Sequence, residues 1–160
     1  LLTTDEALDR GNVFDVELLA GRLREATQWA RSHDACAGLR IGYFGASTGA
    51  AAALWAAADD PAIAAVVSRG GRPDLATPRL AEVRAPTLLI VGSEDPVVLR
   101  LNEEAAAQLR CEHRIAVVRG ATHLFEEPGT LEAAARQAQE WFVRHLAAGE
   151  AVARATPVNG

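Results

Sequence analysis

Arg40-Ile41-Gly42-Tyr43-Phe44-Gly45-Ala46-Ser47-Thr48-Gly49-Ala50 decides the fold. The apolar run from Leu39 to Phe44 reads as a short buried strand, and the alanine-rich stretch from Ala50 to Ala58 reads as a helix. Between them lies Gly45-Ala46-Ser47-Thr48-Gly49, a G-x-S-x-G turn. Small residues flank the serine because the backbone folds tightly on itself there, and a Cβ at Gly45 or Gly49 is expected to strike the opposite limb. Such a turn lifts Ser47 Oγ above the sheet and aims a helix N-terminus at the same point. Backbone N–H groups and the helix dipole there favour developing negative charge. Ser47 is therefore the candidate nucleophile.

Upstream, Val16, Leu19, Leu23, Ala26 and Ala30 recur at helical spacing from Asp15 to about Ser32, after a polar, irregular start over residues 1–13. Downstream, the helix after Ser47 stops at Asp59-Asp60-Pro61. Ile63 to Ser68 reads as a second strand, Thr87 to Val91 as a third and Arg114 to Val118 as a fourth. Residues 69–86 are too short a connection for a large lid domain. Val98 to Leu109 forms a helix, and Thr130 can cap a last one with Leu131, Ala135, Ala138, Phe142 and Leu146 as its apolar stripe and Trp141 beside it. The strands are apolar throughout rather than alternating, which implies a parallel sheet with helices on both faces. Residues 1–149 then form one domain and 150–160 a frayed tail.

Right-handed crossovers gather the strand C-termini on one edge. Ser47, the Ser68-Arg69 pair, Asp95 and His123 each follow a strand and so share that edge. The order Ser47, Asp95, His123 is nucleophile, acid, base. A serine hydroxyl is a weak nucleophile, so His123 must take its proton and later return it to the leaving group. Asp95 selects the useful tautomer and stabilises the imidazolium, and the Thr48 N–H supplies one oxyanion donor. Blander readings stand beside these: the turn as mere packing, Asp95 as a turn residue before Pro96, His123 as a surface histidine. Glu94 competes for the acid role, but the shorter Asp95 suits the tight turn; Glu126 and Glu127 read as solvated charges. Arg69 and Arg72, in a glycine-rich loop on the active edge, are weaker candidates for binding a substrate carboxylate or phosphate; each also reads as an ordinary exposed arginine.

The 160 residues suit one domain with a real core, and 49% are hydrophobic. A net charge of −5 and the lack of a basic block argue against a nucleic-acid partner. No apolar run approaches the roughly 20 residues that span a bilayer, so no membrane partner is expected. His33, His113 and His145 show no metal-ligand spacing, and the lysine of a phosphate loop is absent, so neither metal nor cofactor is expected. Cys36 and Cys111 lack a disulfide framework, which suits a reducing, cytoplasmic setting. Trp29, Trp55 and Trp141 read as core residues. The chain has no methionine, which points to a piece of a longer polypeptide.

The motifs Gly42-Tyr43-Phe44-Gly45-Ala46-Ser47-Thr48-Gly49, Pro86 to Asp95, and Gly120-Ala121-Thr122-His123-Leu124-Phe125 resemble the α/β-hydrolase superfamily, in particular its dienelactone-hydrolase-like branch, from about residue 13 to residue 146. The resemblance implies Ser47 as nucleophile, Asp95 as acid and His123 as base. Named dienelactone hydrolases use cysteine as nucleophile, so Ser47 points toward esterase-like relatives. It also implies about eight strands, with the second oxyanion donor on a His-Gly loop after the third; four strands are visible here. The expected partners are then a small-molecule acyl substrate and either the missing N-terminal half of the fold or a fused domain. The expected function is serine hydrolysis of a small ester, thioester or lactone. The alternative is an inert hydrolase-like interaction module, or part of a transferase chain, since some similar chains carry the phosphoribosyltransferase name or are fused to such domains. No phosphoribosyl-pyrophosphate motif occurs in these residues.

Overall fold

The structure is a computed structural model that describes residues 1–147; the expected tail and the domain boundary at 149 lie outside them. Four strands, β1 (Gly42–Ala46), β2 (Ala65–Arg69), β3 (Thr87–Gly92) and β4 (His113–Val118), form one sheet in the order β1-β2-β3-β4. Every pairing is parallel, with Gly45 opposite Ser68 and Arg69 opposite Ile90. Because the order never reverses, right-handed crossovers must all lie on one face. That face carries α2 (Thr48–Asp59), the 3₁₀ segment Pro73–Glu82 and α3 (Pro96–Ala106), with α1 (Val16–Ser32) packed against α2. Among the described residues, only α4 (Thr130–Ala147) covers the other face.

Two cores result. Tyr43, Val66 and Leu89 point toward α1, α2 and α3, whereas Val67, Leu88 and Ile90 point toward α4. Seven residues of α2 are buried, six of them alanine, so the helix can lie close to sheet and neighbours on several sides at once. The Tyr43 hydroxyl, inside this packing, meets Thr27 Oγ1 at 2.8 Å.

Several sequence expectations shift. Strands β2 and β3 are buried on both faces, but the edge strands are half-solvated: Phe44 is 54% and Val117 48% exposed. β1 also starts at Gly42 rather than Leu39, since residues 39–41 precede the pairing with β2. In α4 the buried line is Thr130, Ala134, Ala138 and Trp141, whereas Leu131 is exposed. The helix is rotated from the expected stripe because Trp141 Nε1 donates to Pro86 O while Phe142 packs over Gly42, which has no room for a Cβ. Thr130 does not cap through an N–H; its hydroxyl donates to Glu127 O. Trp29 is exposed and stacks on His33, so it is not core.

His145 packs on the Trp141 ring with centroids 4.4 Å apart. Burial holds its pKa below the ordinary 6.5, outweighing Glu112, whose carboxylate is 3.7 Å away and mostly exposed. The unfolded chain therefore takes up this proton at higher pH than the folded one. The resulting stability is complete above 6.5 and declines as pH falls from there toward the depressed value. Denaturation midpoints measured against pH should show that decline, and His145→Gln should flatten it.

Candidate active site

β1 runs into α2 through Ser47, whose φ of 50° and ψ of −125° are backbone values that an L-residue adopts only under constraint. The constraint is visible at Gly45. A Cβ there would overlap the Gly49 carbonyl and sit 2.6 Å from Ala50 N and Cα. Glycine is required at that position for contact reasons alone. At Gly49 the expectation was wrong: nothing lies within 4 Å of a Cβ, because this residue opens the helix on its free side. The reverse turn is held from across the sheet. Ser47 N–H donates to Arg69 O at 3.4 Å, and Ser47 O accepts from Arg72 N–H at 3.1 Å. Thr48 N–H has no acceptor among the described residues.

Asp95 sits at the end of β3 and caps α3, with Pro96 in the first helical turn. Its two oxygens divide the work. Oδ1 accepts from Val98 N–H at 3.4 Å, and Oδ2 lies 2.7 Å from His123 Nδ1. One side chain thus both caps the helix and contacts the imidazole. Glu94 is turned aside and accepts from Ser93 Oγ. His123 lies on the loop after β4, which bends through Gly120 and Phe125 with positive φ and plugs the core with the Phe125 ring. The imidazole is 41% exposed, the Asp95 carboxylate 14%. With Nδ1 engaged, Nε2 is the nitrogen left to face a nucleophile.

Three loops meet at Gly70. Its φ is +50°, and a Cβ there would come 3.1 Å from His123 O and 3.7 Å from His123 Nδ1. The neighbouring Arg69 carbonyl holds Ser47. The 69–72 loop therefore contacts both Ser47, through Arg69 O, and His123, at Gly70. No hydrogen bond joins Ser47 Oγ to His123 among the described residues. Glu127, expected to be merely solvated, accepts from both the Thr122 N–H at 3.0 Å and its hydroxyl at 2.6 Å. These bonds lower its pKa and tie down the residue preceding His123. No sequence motif marks that pair.

The two arginines separate. Arg72 forms a bidentate pair with Asp74 (2.8 and 2.7 Å), so its charge is already matched within the loop, and only its backbone serves the turn at Ser47. Arg69 has no carboxylate partner among the described residues; its guanidinium lies 5.3 Å from the Phe125 centroid and donates to Leu124 O. Two of the concavities among the described residues bear on the site. The larger, about 700 Å³, lies at the strand N-termini among Pro61, Val83, Arg84 and Arg110, on the wrong edge for this chemistry. The smaller, about 340 Å³, adjoins the elbow and is lined by Leu1, Leu2, Val13, Leu19, Thr48 and Gly49. No cluster of metal-binding side chains occurs among the described residues. No helix among them is long and apolar enough to cross a membrane.

A parallel sheet with a serine elbow after one strand and an acid–histidine pair after two others defines the α/β-hydrolase class. Residues 6–148 match the sequence model of the Dienelactone hydrolase family, and the chain belongs to that family. The solved dienelactone hydrolase of Anabaena variabilis superposes with a TM-score of 0.86 at 51% identity, covering 91% of this chain and 69% of that one. Chains from two strains of Mycobacterium tuberculosis that carry a provisional phosphoribosyl transferase name are 58% identical over 147 residues, which is 91% of this chain but 33% of theirs. This chain therefore spans about a third of the length of those curated relatives. A monoacylglycerol lipase from Paleococcus ferrophilus (17% identity, 81% of this chain and 76% of that one, TM-score 0.66) shares the fold.

Substitution at the two elbow glycines should separate packing from pattern. Gly45→Ala is expected to lose about 2 kcal/mol or more, since backbone atoms would have to move. Gly49→Ala should stay within about 1 kcal/mol of the parent, on the stabilising side. Urea titration of each variant checks both.

Proposed function

We propose that this segment carries the nucleophile, acid and base of a serine hydrolase for small esters, thioesters or lactones. The observation that supports the reading best is the 2.7 Å contact of Asp95 with His123 at the sheet edge that also presents the strained Ser47. In this reading Ser47 Oγ attacks the substrate carbonyl as His123 Nε2 takes its proton. Catalytic hydrogen bonds in ligand-free sites are often long and tighten when substrate arrives. The tetrahedral oxyanion faces Thr48 N–H at the start of α2. His123 then protonates the leaving group, and water activated by the same nitrogen releases the acyl group from Ser47. Arg69 is the side chain placed to attract an anionic substituent on the substrate. Two unpaired cysteines suit a reducing cytoplasmic setting.

One donor does not make an oxyanion hole. We assign the second to a segment of the longer chain that also pairs with the open edge of β1, where Phe44 is exposed. A second reading, an inert module within a transferase chain, draws on the provisional name of the Mycobacterium relatives. It also draws on the absence of a Ser47–His123 hydrogen bond among the described residues.

A fluorophosphonate probe separates the two. The full-length chain should label, Ser47→Ala should abolish labelling, and Asp95→Asn should slow it by about 10³–10⁴-fold; an unlabelled full-length chain would favour the inert module. The 160-residue segment alone should turn over ester substrates little or not at all, which a p-nitrophenyl acetate assay checks. Arg69→Ala should raise KM for carboxylate-bearing esters about 10-fold and leave neutral esters unchanged.

A further inference from the structure

Asn102 is fully buried in the second turn of α3, yet only half of its amide is satisfied. Nδ2 donates to Gly71 O at 3.1 Å and to Val98 O at 2.8 Å, whereas Oδ1 has no partner among the described residues. A buried, unpaired carbonyl oxygen is costly, and an apolar side chain of similar size would avoid it. Space filling is therefore a poor account of this residue. Its bond to Gly71 has a better one.

The Gly71 carbonyl and the Arg72 N–H belong to the same peptide unit. The carbonyl accepts from Asn102, and the N–H donates to Ser47 O at 3.1 Å. No described peptide is cis, so these two groups point in opposite directions from one rigid plane. The Gly71–Arg72 peptide is thus a bar strung between Asn102 and the nucleophile. Nothing else can stand in for Gly71, since a Cβ there would overlap Ser68 Oγ and come 2.6 Å from the Ala50 side chain. The same helix begins with Asp95 as its cap, seven residues and two turns earlier, on the same face. Polarisation along such a chain strengthens each bond.

We propose that Asn102 is a positioning residue: through the Gly71–Arg72 peptide it helps fix Ser47 relative to Asp95, so that α3 carries both the acid and a brace on the nucleophile. The inference rests on Ser47 being the nucleophile, but its geometry can be read without catalysis. The test is Asn102→Leu in the full-length chain, followed by hydrogen exchange at the Arg72 amide and by the rate of Ser47 labelling at saturating fluorophosphonate. The Arg72 amide should exchange at least about 10-fold faster. Labelling should slow by about 10-fold or more, because small misplacements of a reacting atom have large effects on rate. The melting temperature should fall modestly, because the Gly71 carbonyl loses its donor, while the probe's half-saturating concentration should hold, which a general loss of packing would not allow.

Unchanged exchange overturns the brace. Faster exchange with unchanged labelling overturns the positioning role. If the wild-type chain does not label at all, the nucleophile reading fails and the positioning of a nucleophile fails with it, while exchange still decides whether the brace exists. Should the leucine variant not fold, Asn102→Ser removes the same donor with less bulk and takes its place under the same outcomes.

Discussion

The approach of two backbones at Gly45 governs the rest of the site. With no side chain between them, the end of β1 and the first turn of α2 press together until Gly45 faces the Gly49 carbonyl and the Ala50 backbone directly. The chain can leave that contact only by reversing over one residue, and Ser47 takes the strained conformation. What the strain achieves is direction. The chain turns at once from β1 into α2, which starts at Thr48 with that residue's N–H unclaimed among the described residues.

Strain of this kind persists only where its surroundings over-determine it, and here they do. The 69–72 loop holds both backbone groups of Ser47, meets the His123 loop at Gly70, and hangs from Asn102 at Gly71. Asp95 completes the frame by capping α3 with one oxygen and orienting the imidazole with the other. The unbroken strand order makes this arrangement possible. It stacks all three crossovers on one face and leaves the loops at the strand C-termini to meet without an intervening helix.

Much of this was legible in the residues. The strand-turn-helix around Ser47, the four strands and the order Ser47, Asp95, His123 needed only local pattern and the handedness of crossovers, although the half-solvated edge strands did not follow the expected burial. The pattern overreached where one residue had two readings. Gly49 matches the motif like Gly45 but faces open space, and Arg72 resembles Arg69 in sequence although Asp74 matches its charge in the fold. The phase of α4 was missed because Trp141 and Phe142 both suit a core, and only the Pro86 carbonyl and the vacancy at Gly42 choose between them.

The sequence by itself determined the elements, their parallel order and the edge on which the polar groups gather, because periodicity, glycine placement and crossover chirality act over short stretches. Only the tertiary structure decided which groups touch. Glu127 on Thr122, Asn102 on Gly71 and the Gly70 contact with His123 join segments whose spacing obeys no period, so their pairing exists only once the sheet has brought the loops together.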